Sequence, residues 1–123
     1  MATLPFEKLN VYKLSEGLAD GIWEIVATWP TFAKNTVGSQ LIRAADSIGA
    51  NIAEGTGRGT YKENCRFVRI ARGSFYESRH WLRRAYKRKL LTARHVDQLK
   101  PLVDELPRRL NAYLNSIGKT NRQ

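Results

Sequence analysis

The chain has 123 residues, one domain's worth, and 42% of them are hydrophobic, enough to bury a core without metals or disulfides. Its single cysteine, Cys65, excludes an intrachain disulfide and fits a reducing compartment. The formal net charge is +10, and the stretch from Arg58 to Arg94 holds all of it: twelve Lys and Arg against two acids, while nine of each sign balance elsewhere.

Charge concentrated in this way draws polyanions, whether nucleic acid, anionic lipid or an acidic protein. No apolar run approaches the ~20 residues that span a bilayer, so no membrane association is expected. The opening Met1-Ala-Thr-Leu-Pro-Phe-Glu-Lys8 lacks the basic-then-apolar pattern of a signal peptide, and a cytosolic setting is the expectation.

Helical periodicity runs through the chain, with no hairpin signal and no internal repeat. The first helix is predicted over Pro5–Trp29, opened by Pro5 and closed by Pro30. Val11, Leu14, Leu18, Ile22, Ile25 and Trp29 form its apolar stripe. Tyr12, Trp23 and Val26 widen that stripe into a strip that either broadens the core contact of this helix or, left exposed by a lone bundle, forms the candidate subunit interface.

The second helix is predicted over Thr36–Glu54, with Val37, Leu41, Ala44, Ile48 and Ile52 inward. Beside them Gln40, Arg43, Ser47, Asn51 and Glu54 form a polar stripe. Hydrogen-bonded contacts between helices are its expected role, with a binding site as the alternative. The segment Gly55-Thr-Gly-Arg-Gly59 then reads as a helix-ending turn, since glycine tolerates left-handed backbone. It lacks the preceding strand and GK[ST] ending of a phosphate-binding loop.

The third helix is predicted over Thr60–Lys89, with Phe67, Ile70, Ala71, Ser74, Ser78, Trp81, Leu82 and Ala85 on one face. Cys65 falls off that stripe and reads as an inert boundary residue. The opposite face carries Lys62, Arg66, Arg69, Arg72, Arg79, Arg83, Arg84 and Lys87, with Tyr76 and His80 among them as candidate base-stacking residues. With Arg58 in the preceding turn, these eight bases are the candidate nucleic-acid-binding set. Most charge runs are solvated faces, but such faces mix signs, and arginine's planar fork suits phosphate.

The fourth helix begins after Thr92, a good N-cap, and buries Val96, Leu99, Leu102, Val103, Leu106, Leu110, Tyr113, Leu114 and Ile117. Pro101 and Pro107 sit inside it, so a kink or broken first turn is expected near Lys100-Pro101. Gly118 is the expected stop, giving a bundle domain over 1–118 and a flexible tail over 119–123. Four amphipathic helices with short connections imply an all-α, antiparallel up-down-up-down four-helix bundle.

Catalysis has little to build on. No catalytic residue, metal site or cofactor is expected, because no nucleophile–base–orienter spacing or ligand cluster is present. Arg88 and His95 have the spacing of the Arg–His motif of helical HEPN-type ribonucleases, but the pair straddles the predicted turn between helices.

The string Ser39-Gln-Leu-Ile-Arg-Ala-Ala-Asp-Ser-Ile-Gly-Ala-Asn-Ile-Ala-Glu-Gly55 is long and distinctive. With Gly57-Arg-Gly59, Phe67-Val-Arg-Ile-Ala-Arg-Gly-Ser74, Glu77, the Phe6-Glu-Lys-Leu9 opening and Trp29-Pro30, it resembles the four-helix-bundle proteins encoded in intervening sequences of bacterial 23S ribosomal RNA genes. That family is related to the accessory variability protein (Avd) of diversity-generating retroelements. The resemblance implies a homopentameric barrel and nucleic-acid binding, with Avd-like relatives also contacting a reverse transcriptase. The prolines of the fourth helix depart from the smooth helix the family leads one to expect. The leading expectation is thus a non-enzymatic, oligomeric binder of RNA or DNA, and the alternative is a scaffold docking an acidic or polymerase-like protein.

Overall fold

The computed structural model describes residues 4–121, with side chains described through residue 118. Those residues contain helices and turns and no strand. Four long helices form the bundle: α1 (Asn10–Val26), α2 (Ser39–Thr56), α3 (Tyr61–Lys87) and α4 (Ala93–Asn121). Contacts run α1 on α2, α2 on α3, α3 on α4 and α4 back onto α1, with α2 and α3 most closely joined.

Helix boundaries move where local chemistry overrides the apolar pattern. Pro5 opens only a 3₁₀ turn, Pro5–Lys8, because Leu9 adopts extended backbone (ψ 131°) and α1 starts afresh at Asn10. Helical structure resumes directly after Pro30, five residues earlier than the pattern predicts: a turn over Thr31–Ala33 and a π-helical segment over Lys34–Gly38 lead into α2. A glycine is required at position 38, where a Cβ would stand 2.6 Å from Val26 Cγ1.

The stripes of α1, α2 and α4 lie inward largely as read. Val11, Leu18, Ile22, Ile25 and Trp29 are buried in α1 and its exit, as are Leu41, Ala44, Ile48 and Ile52 in α2 and Leu99, Leu106, Leu110 and Ile117 in α4. Two buried serines, Ser15 and Ser78, satisfy their hydroxyls by donating to the backbone carbonyls of Tyr12 (2.7 Å) and Ser74 (2.9 Å). The polar stripe of α2 differs from expectation. Gln40, Arg43 and Glu54 are exposed, and Asn51 donates to the Ser47 carbonyl of its own helix, so the stripe makes local bonds rather than interhelical ones.

The inward face of α3 is rotated from the predicted one. Val68, Ala71, Phe75, Ser78 and Ala85 are buried, with Leu82 half-buried among them, in steps of three and four residues. Ile70, expected inside, is 41% exposed, and Cys65, expected at the boundary, is buried. An apolar seam repeating every ~3.5 residues drifts about 20° per heptad against an ideal helix. Across the 27 residues of α3 that drift exchanges Phe75 for its neighbours on the predicted stripe.

The glycine segment also divides differently. Gly55 lies within α2, buried against α3, where a Cβ would meet Asn64 Oδ1 at 2.5 Å and Phe67 Cβ at 3.0 Å. Only Gly59 takes a left-handed conformation, at φ +88°. At the far end of α3 the left-handed position is Lys89, φ 62°. The Leu90 N–H donates to the Ala85 carbonyl and the Lys89 N–H to that of Tyr86, the bonding pattern of a Schellman stop with lysine in glycine's usual place.

The break expected near Lys100-Pro101 does not occur: α4 runs through Pro101 and Pro107. Each interior proline costs about 3 kcal/mol in a regular helix, and the buried leucines on either side, Leu99, Leu106 and Leu110, offset that cost. Nor does Gly118 stop the helix, which continues to Asn121. The remainder of the expected tail, residues 122 and 123, lies outside the described residues.

Candidate nucleic-acid interface

The helix that presents the basic face is started by a threonine N-cap. Thr60 holds extended backbone (φ −129°, ψ 150°), and its hydroxyl accepts from the Glu63 N–H at 3.1 Å. Glu63, in the first turn, favours the helix dipole. It also gathers two of the arginines: Arg66 lies 3.1 Å and Arg58 3.8 Å from its carboxylate. The hydrogen bond from Arg66 holds the Glu63 carboxyl below its usual pKa, with the charges of Arg66, Arg58 and Lys62 adding to the effect. Arg58 pairs in addition with Glu54 at 3.5 Å, and both guanidinium groups lie over the Phe67 ring.

The nine predicted contact residues therefore divide into three groups. Arg58 and Arg66 are held in ion pairs at the start of α3. Arg72, half-buried, donates to Asn111 Oδ1 of α4 at 3.1 Å, and Arg79 faces α4 near Asp104. Lys62, Arg69, Arg83, Arg84 and Lys87 make no ion pair among the described residues. At 1.5 Å of rise per residue, Lys62 and Lys87 are about 38 Å apart along the axis, roughly one turn of a nucleic-acid duplex. Arg84 and Lys87 lie in the last turn, where the helix dipole favours cations.

The aromatic residues expected among these bases are outward. Tyr76 is 58% exposed, with its ring edge-on to buried Phe75, and the His80 ring packs edge-on to Trp81 at 4.8 Å. Sequence reasoning passed over Tyr86, equally exposed. It stands three residues after Arg83 and seven after Arg79, a spacing that places all three along one side of the helix.

Acidic groups collect on the other half of the bundle. Glu16 and Asp20 of α1 and Asp46 of α2 border a crevice of about 310 Å³ with Tyr12 and Ser15. Burial raises the pKa of Asp46, and the nearby Asp20 raises it further. Burial likewise raises that of Tyr12, followed by the charge of and hydrogen bond to Glu16. Among the described residues no group of His, Cys, Asp and Glu is arranged to hold a metal ion, and no helix is long and apolar enough to cross a membrane.

The candidate interface strip is split. Trp23 is 59% exposed and Tyr12 half-buried, its ring edge-on to Phe6 at 5.0 Å. Val26, placed on the same strip by periodicity, is instead 1% exposed and fully in the core, because the close approach of Gly38 brings the chain over it. Phe32, in the turn after α1, is 81% exposed and was not anticipated.

The Arg88–His95 pair sits at a helix junction. Arg88 is the C-cap of α3. His95 belongs to the first turn of α4, where its N–H donates to Thr92 Oγ1 at 3.1 Å and its Nδ1 accepts from the Thr92 N–H at 3.2 Å. This reciprocal pair is a capping box with histidine where glutamate is usual.

Among curated proteins no sequence matches the chain. The family model described as 23S rRNA-intervening sequence protein matches residues 7–112, from the 3₁₀ turn through most of α4. With that span covering the bundle and its basic helix, the chain belongs to the 23S rRNA-intervening sequence protein family.

Proposed function

We propose that this protein is a non-catalytic nucleic-acid-binding protein that grips phosphates with the outward face of α3, with little regard to sequence. One observation carries this reading: seven of the nine bases of that face make no ion pair among the described residues, although the bundle has acids to spare on α1 and α2. Charges kept apart at the cost of mutual repulsion are set up for an external polyanion. The use of His95 in capping α4 favours a structural role for it over a catalytic one.

The bundle itself we take to be antiparallel and up-and-down. The pairing of Asn64 with Tyr113, and of the Arg79 and Asp104 charges further along, supports that order for α3 and α4. The proposed assembly is a homopentamer, with Trp23 and Phe32 in the subunit contacts. Their exposure supports self-association, and the number five rests on the family resemblance.

Fluorescence anisotropy with labelled RNA and DNA strands and duplexes, titrated with salt, tests the reading. Tight binding at low salt that weakens steeply as salt rises is expected, and loss of binding in an Arg69→Glu, Arg83→Glu, Lys87→Glu variant with an unchanged melting temperature. Negligible binding at low salt, or full binding by that variant, refutes it.

A further inference from the structure

We propose that the groove between α3 and α4 takes up a single unpaired nucleobase, so that single strands are held more tightly than duplexes of the same length; this rests on the nucleic-acid reading above. The groove has a volume of about 380 Å³, within the roughly 300–1,000 Å³ typical of small-ligand sites. Its floor is apolar, with Leu82 from α3 and Leu99 and Val103 from α4. Its rim is cationic, with Arg79 and Arg83 on one side and Lys100 on the other. Asp104 also borders it, bound to Lys100 at 2.8 Å and near the Arg79 charge, so Arg83 is the cation of the rim that no acid offsets.

Tyr86 stands at the edge of this slot, 58% exposed, its side chain without a hydrogen-bond or ring partner among the described residues. An aromatic face beside an apolar slot, with guanidinium groups one and two turns away, can stack a base while its neighbouring phosphates are neutralised. Arg83 belongs to both the groove rim and the unpaired basic face. A strand following Arg69, Arg83 and Lys87 therefore passes the opening. A duplex can follow the same path, but its bases are paired and stacked within it and do not enter.

The test uses a labelled oligothymidine strand, an abasic strand of equal length and a duplex, each bound to the full chain and to Tyr86→Ala and Tyr86→Phe variants. Removal of one stacking contact weakens single-strand binding by about 5- to 150-fold. The expected result is a loss of that size for oligothymidine in Tyr86→Ala and retention in Tyr86→Phe. Duplex and abasic-strand affinities should not move, and melting temperatures should match. Equal affinity of the parent protein for oligothymidine and the abasic strand overturns the proposal, as does Tyr86→Ala binding oligothymidine like the parent. Salt-dependent duplex binding in those cases leaves the basic-face reading standing. Failure of all three probes to bind at low salt sinks both readings, and would point to an acidic protein as the occupant.

Discussion

Alanine replacement of single bases along α3 should separate the residues that meet phosphate from those that only carry charge. Each phosphate neutralised on duplex DNA contributes about −0.9 to the slope of log K against log salt, through release of condensed counterions. Seven of the nine bases make no ion pair among the described residues; Arg72 is bound to Asn111 and Arg79 lies near Asp104, which leaves five with neither tie: Lys62, Arg69, Arg83, Arg84 and Lys87. If all five engage, each chain contributes a slope of about −4.5. Arg69→Ala should flatten that slope by about 1. Arg66→Ala should flatten it much less, because the Arg66 guanidinium is already bound to Glu63 at 3.1 Å and a phosphate must displace that carboxylate. Glu63→Gln should act in the opposite sense, freeing Arg66 and steepening the slope, while Arg58 keeps its pairing with Glu54 at 3.5 Å. Anisotropy titrations at a series of salt concentrations, with melting curves as a check on folding, give these slopes directly. An Arg66→Ala slope as flattened as that of Arg69→Ala would refute the division of the face into paired and unpaired bases.

Other outcomes follow from the packing. Phe75→Ala, at a side chain 1% exposed, should cost about 3–5 kcal/mol, whereas Ile70→Ala, at a site 41% exposed, should cost far less; chemical denaturation measures both. Lys89→Gly relieves a left-handed lysine and should stabilise the fold by about 0.5–1 kcal/mol, seen as a raised unfolding midpoint. The Asp46 carboxyl has its pKa raised by burial and by Asp20, so its ionised form opposes folding. Its folded pKa lies above the unfolded one, so stability is lost as pH rises through the folded value. Asp46→Asn should therefore raise the melting temperature at neutral pH and leave it unchanged at a pH below both values. Trp23→Lys, at an exposed site, should lower the sedimentation coefficient if the protein self-associates through α1, and leave the melting curve of the isolated bundle intact.

Much of this molecule is legible in the chain because the relevant forces are local and periodic. Apolar residues at helical spacing locate α1, α2 and α4, and the string from Ser39 to Gly55 points to the family that the match over residues 7–112 establishes. The excess of positive charge between Arg58 and Arg94 needs only counting. Counting does not tell which bases are free. Arg66 differs from Arg69 because Glu63 stands three residues before it on the same helix, a spacing visible in the chain, whereas the meeting of Arg58 with both Glu54 and Glu63 needs the turn between α2 and α3. The inward side of α3 also depends on its neighbours, because packing along two helices selects a seam near 3.5 residues, and that turns Phe75 and Cys65 inward and Ile70 out. Val26 is buried and Trp23 exposed for a similar reason: Gly38, far along the chain, closes over one and not the other. The groove beside Tyr86 is made by two helices together, so its floor and rim exist only once α4 lies against α3. Local periodicity thus accounts for the helices and their charge, while contacts between residues distant in the chain decide which side chains meet the solvent and remain free to bind.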